Sequence, residues 1–296
     1  PRYSAFRILG PPTWASAVPG RSGDRGPEWR ELLLRLTKPE QKRIDALLAT
    51  IETTIPIDPA IHAFVEGQHP DALVVSPMVG LGFSQADFVK SARRLGIPSA
   101  MLVFSWDNLS NKGMIHENPD RMIVWNDIQR HEAVKLHAYP AEQVAITGAP
   151  RFDAFFEMRP GTTRDEFCRM ARLDPSKPIV TYLCSSKFVA AHEQAFVRRW
   201  IDELRRGPDA RLRECSVVVR PQPAGQKHWH AEDRWVARWP GAHREKASLS
   251  KPFEDQRTVV MNSPMQNADI VLYDTVHHSS AVVGLNTSAE IEAAIA

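Results

Sequence analysis

Cysteine is scarce in this 296-residue chain. There are three, Cys168, Cys184 and Cys215, an odd number with no CxxC spacing. That excludes a disulfide framework and a zinc knuckle, and points to a reducing, intracellular compartment. Charge of one sign is also lacking: 37 Lys and Arg stand against 35 Asp and Glu, a net of +2. No electrostatic excess is available to hold a polyanion, so a dedicated DNA binder is excluded. No apolar run reaches the roughly 18 residues needed to cross a bilayer, and residues 1–20 lack the layout of a secretory signal. A cytoplasmic protein is expected, with peripheral contact at the inner membrane face left open. No GxGxxG follows any strand, which weighs against a Rossmann dehydrogenase.

What is present is ordinary globular composition, 43% hydrophobic and 24% charged, enough for two cores. Residues 1–27 are dense in Pro and Gly and read as an irregular lead-in. Two helices are expected between Pro27 and Ile55, the second opened by Thr37-Lys38-Pro39-Glu40. From Asp71 short apolar runs alternate with helical stretches. Strands are expected at 71–77, 99–105, 120–126 and 143–148, with helices at 84–95 and 127–137. After a proline-rich break and a short helix at 163–172 the alternation restarts. Strands are expected at 178–184, 216–220, 258–261 and 280–284, with helices at 189–206 and 287–296. The stretch Trp229–Pro252 has no clean periodicity and reads as a loop with short helical pieces, its tryptophans packed inward or resting on a membrane surface. Ile270–Asp274 should precede a helix-like segment. Strands apolar throughout, alternating with helices, imply an α/β fold with parallel sheets covered on both faces. The domains are expected at 1–158 and 159–296. No strand and phosphate-binding turn opens the first half and no strand follows the closing helix, so the chain reads as incomplete at both ends.

Three segments carry candidate chemistry, each directly after a strand. Residues 279–293 end a strand at Gly284 and start a helix with Asn286, Thr287 and Ser288, whose amides and hydroxyls suit a phosphate; Glu292 lies one turn on, in reach of a ribose. The alternative is a plain N-cap with solvated glutamates. Arg220 ends a strand and is followed by Pro221-Gln222-Pro223, a fork for a pyrophosphate or an ordinary ion pair. In 104–113, Trp106, Asn108 and Lys112 are candidates for an acceptor and Asp107 for a general base, with His116 and Glu117 as substitutes; a capping turn is the alternative. His277 and His278 are adjacent, make a poor metal pair, and have no third ligand at suitable spacing, so no metal site is expected.

Together SWDNLSNKG (105–113), VWNDIQR (124–130), VAITGAPRFD (144–153) and SAVVGLNTSAEIEA (280–293) resemble the GT-B group of glycosyltransferases. The likeness extends to bacterial surface-carbohydrate biosynthesis proteins related to the UDP-N-acetylglucosamine 2-epimerase and CDP-glycerol glycerophosphotransferase lineages. It spans about residues 70–296. It implies two Rossmann-like domains facing a cleft, a nucleotide-sugar donor held by the C-terminal one, a carbohydrate or lipid-linked acceptor held by the N-terminal one, and no cofactor or obligatory metal. Arg220, Thr287, Ser288 and Glu292 fall on donor-binding positions, and His278, Ser279 and Asn286 are counted with them. Gln222 stands where relatives carry histidine. The function expected is sugar transfer in cell-surface polysaccharide assembly. A sugar-nucleotide epimerase and a non-catalytic nucleotide-sugar-binding module are the alternatives.

Overall fold

A computed structural model describes residues 35–79, 85–111, 115, 117–187, 189–222, 229, 233–240, 246–263 and 270–296. The irregular lead-in and the first of the two expected N-terminal helices lie outside them. The chain forms two units, Pro1–Pro150 and Arg151–Ala296. The segment 151–158, expected with the first half, belongs to the second because Phe155 packs against Tyr273 and Met158 joins the same cluster.

In the first unit, helix α1 (Lys38–Thr54) is followed by α2 (Pro59–Gln68), which the sequence reading did not anticipate. Its cause is local. Asp58 accepts hydrogen bonds from Ala60 N and Ile61 N, Pro59 occupies the first turn, and His69 closes the helix in the left-handed region. Strands β1 (Leu73–Val75), β2 (Ser99–Leu102), β3 (Arg121–Val124) and β4 (Val144–Ile146) pair in that order, all parallel. Helices α3 (Gln85–Leu95), α4 (Asn108–Asn111) and α5 (Asp127–His137) connect them. Helix α5 has the expected bounds, with Asn126 accepting from Gln129 N at its start and left-handed Ala138 at its end.

One row of the sheet, Val75, Met101, Met122 and Val144, joins Val89, Leu109 and Ala133 of the three helices in a single core. The opposite row is only half covered: Val74 is 59% exposed, and Ala100, Leu102 and Ile123 are half-buried. Helices on both faces were expected; among the described residues they cover one. Consecutive strands add in the same direction here, which puts consecutive connections on the same side.

The second unit opens with α6 (Asp153–Glu157) and α7 (Arg164–Ala171), the latter begun by a reciprocal Thr163–Glu166 cap. Strand β5 (Ile179–Leu183) leads through α8 (Glu193–Arg206) and α9 (Ala210–Glu214) to β6 (Ser216–Arg220). Next come β7 (Arg234–Arg238) and β8 (Lys246–Ser250), then β9 (Thr258–Asn262), α10 (Ile270–His277), β10 (Ala281–Gly284) and α11 (Ala289–Ile295). The sheet order is β10-β5-β6-β9-β8-β7, with the β9–β8 and β8–β7 pairings antiparallel and the other three parallel. Two expectations are thus corrected. Within Trp229–Pro252 the chain forms a strand pair at the sheet edge rather than a loop with helical pieces, and Ile270–His277 is itself a helix. Helix α8 also starts at Glu193, later than the expected 189.

This sheet is packed on both sides, the reason β5, β6 and β9 read as unbroken apolar runs. Val180, Tyr182, Val217 and Val219 meet Val197 and Ile201 of α8. Ile179, Val218, Val259 and Met261 meet Phe167 of α7 and Val271 of α10. Each fully buried side chain of this size contributes roughly 1.5–3 kcal/mol.

Candidate functional site at the carboxyl edge of the second sheet

In order of appearance the four parallel strands of the second unit are β5, β6, β9 and β10, and they lie as third, second, first, fourth. The chain builds outward from β5 in one direction and then crosses back to place β10 on its other side. Ligands of open α/β sheets bind outside the carboxyl ends of the strands where this reversal occurs. Here that place is the end of β5 beside the end of β10.

The register fixes what meets there. Leu183 pairs with Gly284 on one side and Arg220 on the other, so the ends of β10, β5 and β6 are level. Gly284 and Arg220 are two strand spacings apart, roughly 10 Å at the backbone. The Ser185 hydroxyl donates to the Leu285 carbonyl and ties the β5 and β10 ends together. Ser185 N donates to both carboxylate oxygens of Glu193, at 2.8 and 3.0 Å, and Tyr182 Oη donates to the same group at 3.2 Å. Glu193 thereby pins the β5–α8 loop to the start of α8. Burial pushes its carboxyl above the ordinary value, against the hydrogen bonds from Ser185 and Tyr182. Desolvation, then the Glu193 charge, raises the buried Cys184 thiol, so this cysteine is not a nucleophile.

The loop and strand ends enclose a cavity of about 200 Å³ lined by Ser185, Lys187, Glu193, Gln194, Gln222 and Trp229 among others. Lys187 is exposed and Trp229 buried. A cation, amide side chains and an indole around one opening can take an anionic group and an adjoining hydrogen-bonding body. The sequence reading passed over Lys187, Gln194 and Glu193, and Gln222 entered it only for a missing histidine.

Because the folded pKa of Glu193 is raised, the folded chain holds a proton that the unfolded chain releases near pH 4.5. Stability from this group is present at low pH and is lost as pH rises through the folded value. Urea midpoints of the wild type and Glu193→Gln should converge as the pH is lowered and diverge as it rises through the folded value; parallel curves throughout would show the carboxyl ionising as in the unfolded chain.

The turn after β10 is narrow. A Cβ on Gly284 would sit 2.6 Å from Glu290 Oε1, so a larger residue there would have to displace the Glu290 side chain, and Asn286 adopts φ 55. Thr287 Oγ1 accepts from Ala289 N at 3.4 Å, and Ser288 makes no side-chain cap. Asn286 is exposed and Thr287 and Ser288 are half-buried.

Other expected donor residues are engaged in packing. Arg220 is 6% exposed and its Nη2 donates to Ser263 Oγ at 2.8 Å, so it lies beneath the edge rather than as an open fork. His278 is buried, with Nε2 2.9 Å from the Thr162 carbonyl; burial first of all depresses its pKa and keeps the ring neutral. Ser279 Oγ donates to the Thr275 carbonyl at 2.6 Å and lies 2.7 Å from Thr181 Oγ1. Both are structural. Glu292 is buried with Oε1 3.5 Å from Arg151 Nη2, which draws it toward that arginine rather than toward a ribose.

In the first unit, Trp106, Asp107 and Asn108 follow the carboxyl end of β2. Asn108 is buried and its Oδ1 accepts from Phe104 N and Ser105 N at 3.0 and 2.8 Å, so it shapes the turn and is not presented to an acceptor. Gln129 Nε2 braces the turn at the Ser105 carbonyl. Trp106 remains 40% exposed and Asp107 half-buried. Glu117 is not a substitute for Asp107. It precedes β3, at the amino edge of the sheet, and is buried against Arg93 at 2.6 Å. His116 and Lys112 lie outside the described residues. Among the described residues no group of three His, Cys, Asp or Glu is arranged to hold a metal ion, and no helix is long and apolar enough to cross a membrane.

No protein-family model and no curated protein matches the sequence. Among solved structures, the UDP-GlcNAc 2-epimerase of Methanocaldococcus jannaschii is similar at 12% identity and a TM-score of 0.49, over 88% of this chain and 65% of that one. The chain therefore spans less than two thirds of that protein's length.

Proposed function

We propose that the chain binds a nucleotide-activated sugar at the carboxyl edge of the second sheet and acts as a GT-B type glycosyltransferase, moving the sugar to a carbohydrate or lipid-linked acceptor of the cell surface. The observation that carries this reading is the level alignment of the β5, β6 and β10 ends at the reversal of strand order, beside a cavity with Lys187 and Gln222 at its rim. The four sequence segments that resemble the GT-B group supply the chemistry.

Sugar transfer requires stabilisation of a departing diphosphate. Lys187 supplies an exposed charge at the cavity and Arg220 a fixed charge beneath the edge, with Asn286, Thr287 and Ser288 as hydrogen-bonding partners. The acceptor's proton is taken by Asp107 on the β2–α4 turn. No cofactor enters the scheme.

Thermal-shift titration with UDP, CDP, GDP and TDP tests donor binding, since a ligand at a hundred times its Kd stabilises by about 2.7 kcal/mol. One of the four should raise the melting temperature, and Lys187→Ala should weaken that nucleotide about tenfold or more. A flat response to all four would overturn the reading. Conversion of UDP-GlcNAc to a second sugar nucleotide with no acceptor present would replace transfer by epimerisation.

A further inference from the structure

Asn262, the last residue of β9, is 5% exposed, and its Oδ1 has no hydrogen-bond partner among the described residues. An amide oxygen taken out of water without a donor is costly, and folded chains keep few of them. The register locates this one. Tyr182, Val219 and Val260 are level on β5, β6 and β9 and share the core cluster beneath α8. Two residues further along the outer two strands, on the same face, stand Cys184 and Asn262. Cys184 lines the cavity at the donor edge, and Asn262 is two strand spacings away, roughly 10 Å. Gln222, which follows the intervening strand β6, also lines the cavity, as does Trp229. Trp229 packs in the cluster with Val260, and its carbonyl accepts from Ser250 Oγ at 3.5 Å, on the residue level with Val260. The cavity therefore runs from β5 across β6 toward β9, and Asn262 stands at its far end. Ser263, next in the chain, accepts from Arg220 Nη2 at 2.8 Å, which brings that guanidinium to the same end of β9.

We propose that Asn262 is the specificity-determining residue of the donor site, its amide pairing with the hydrogen-bonding edge of the nucleobase. This rests on the donor-edge reading and adds a direction to it: diphosphate toward Lys187 and the β10 turn, base toward Trp229 and β9. The orphaned atom is an acceptor, so its partner must bring a donor. A phosphate offers acceptors and leaves Oδ1 as it is, whereas every base edge carries an N–H beside an acceptor, the pattern a side-chain amide answers. The terminal torsion of asparagine is broad and roughly two-fold, so the amide can present either end without leaving its place. A site that hydrogen-bonds its ligand in this way also rejects a wrong base, which leaves the site's polar group unpaired.

Isothermal titration of the full chain with UDP, CDP, GDP, TDP and ribose 5-phosphate tests it, in the wild type, Asn262→Leu and Asn262→Ala. The wild type should prefer one of the four nucleotides over the other three. Both variants should bind that nucleotide about tenfold more weakly, narrow the spread among the bases and leave ribose 5-phosphate unchanged. Melting temperature supplies a readout that separates recognition from folding. Asn262→Leu removes a buried group that has no partner, so it should melt at or above the wild type; a fall of several degrees in both variants would assign the amide to the fold and overturn the proposal. Undiminished affinity of both variants for the preferred nucleotide would overturn it as well, and so would an equal loss for ribose 5-phosphate, which carries no base. If the wild type binds none of the four nucleotides, the donor reading fails and takes this inference with it; if the wild type binds and the variants bind equally well, this inference fails alone.

Discussion

Replacement of Asp274 by alanine should destabilise the second unit by about 3–5 kcal/mol, the largest stability effect expected of a single residue there. Asp274 is fully buried. One oxygen accepts from Gly161 N at 2.8 Å; the other accepts from Thr162 Oγ1 at 2.6 Å and from Trp239 Nε1 at 2.8 Å. Three donors from the segment before α7 and from the end of β7 converge on one helix residue. Alanine leaves all three facing apolar surroundings without an acceptor, and the core cluster of Phe167, Trp239 and Val271 loses its polar anchor. Asparagine keeps one acceptor and should cost about half as much. Thermal unfolding measures this, with a drop on the order of 10 °C for the alanine variant. A drop of only a degree or two would mean that the three donors find other partners.

Asp107→Asn should lower sugar transfer by about 10²–10⁴-fold, the range for loss of a general base, with the nucleotide Kd unchanged. The reason for expecting a clean separation is structural. Asp107 sits on a turn whose backbone is held by Asn108 and Gln129, so an isosteric amide should leave that turn in place. The nucleotide edge is built from the other unit. Single-turnover transfer beside nucleotide titration measures both quantities. Transfer within threefold of wild type would remove Asp107 from the chemistry, and a parallel loss of nucleotide affinity would make its role one of folding.

Much of the fold was legible because the signals were local and strong. The periodicity and capping of 127–137 gave α5 its observed bounds, and the unbroken Val217–Val219 run marked β6 as a strand buried on both faces. The antiparallel pair β7 and β8 was missed because only one of its buried points is large: Ala237, Ala247, Leu249 and Ser250 are buried while Arg234, Arg238 and Lys246 are exposed. Little hydrophobic signal accompanies such an edge. Helix α2 was missed although Asp58-Pro59 is a start signal, because Pro56 two residues earlier reads as a break. The site was less legible than the fold. Polar residues beside a strand end looked available for a ligand, but His278, Ser279, Asn108 and Glu117 all proved to be satisfied inside the structure. Whether a polar side chain faces inward depends on partners far along the chain, such as Thr162 for His278, and no local pattern carries that information. The same holds for Glu193, whose role appears only when the β5–α8 loop closes on Ser185.

The arginine-flanked strand β7 has a consequence for how copies of this protein behave at high concentration. An outermost strand offers unsatisfied backbone groups to any neighbour that can align with it. At this border the guanidinium groups of Arg234 and Arg238 stand exposed at either end of five residues, and Arg172 stacks on the Trp235 ring at 4.2 Å. A second molecule approaching to extend the sheet would have to bring its own pair of like charges into register with these, so the border repels its own image and disfavours fibrous self-association.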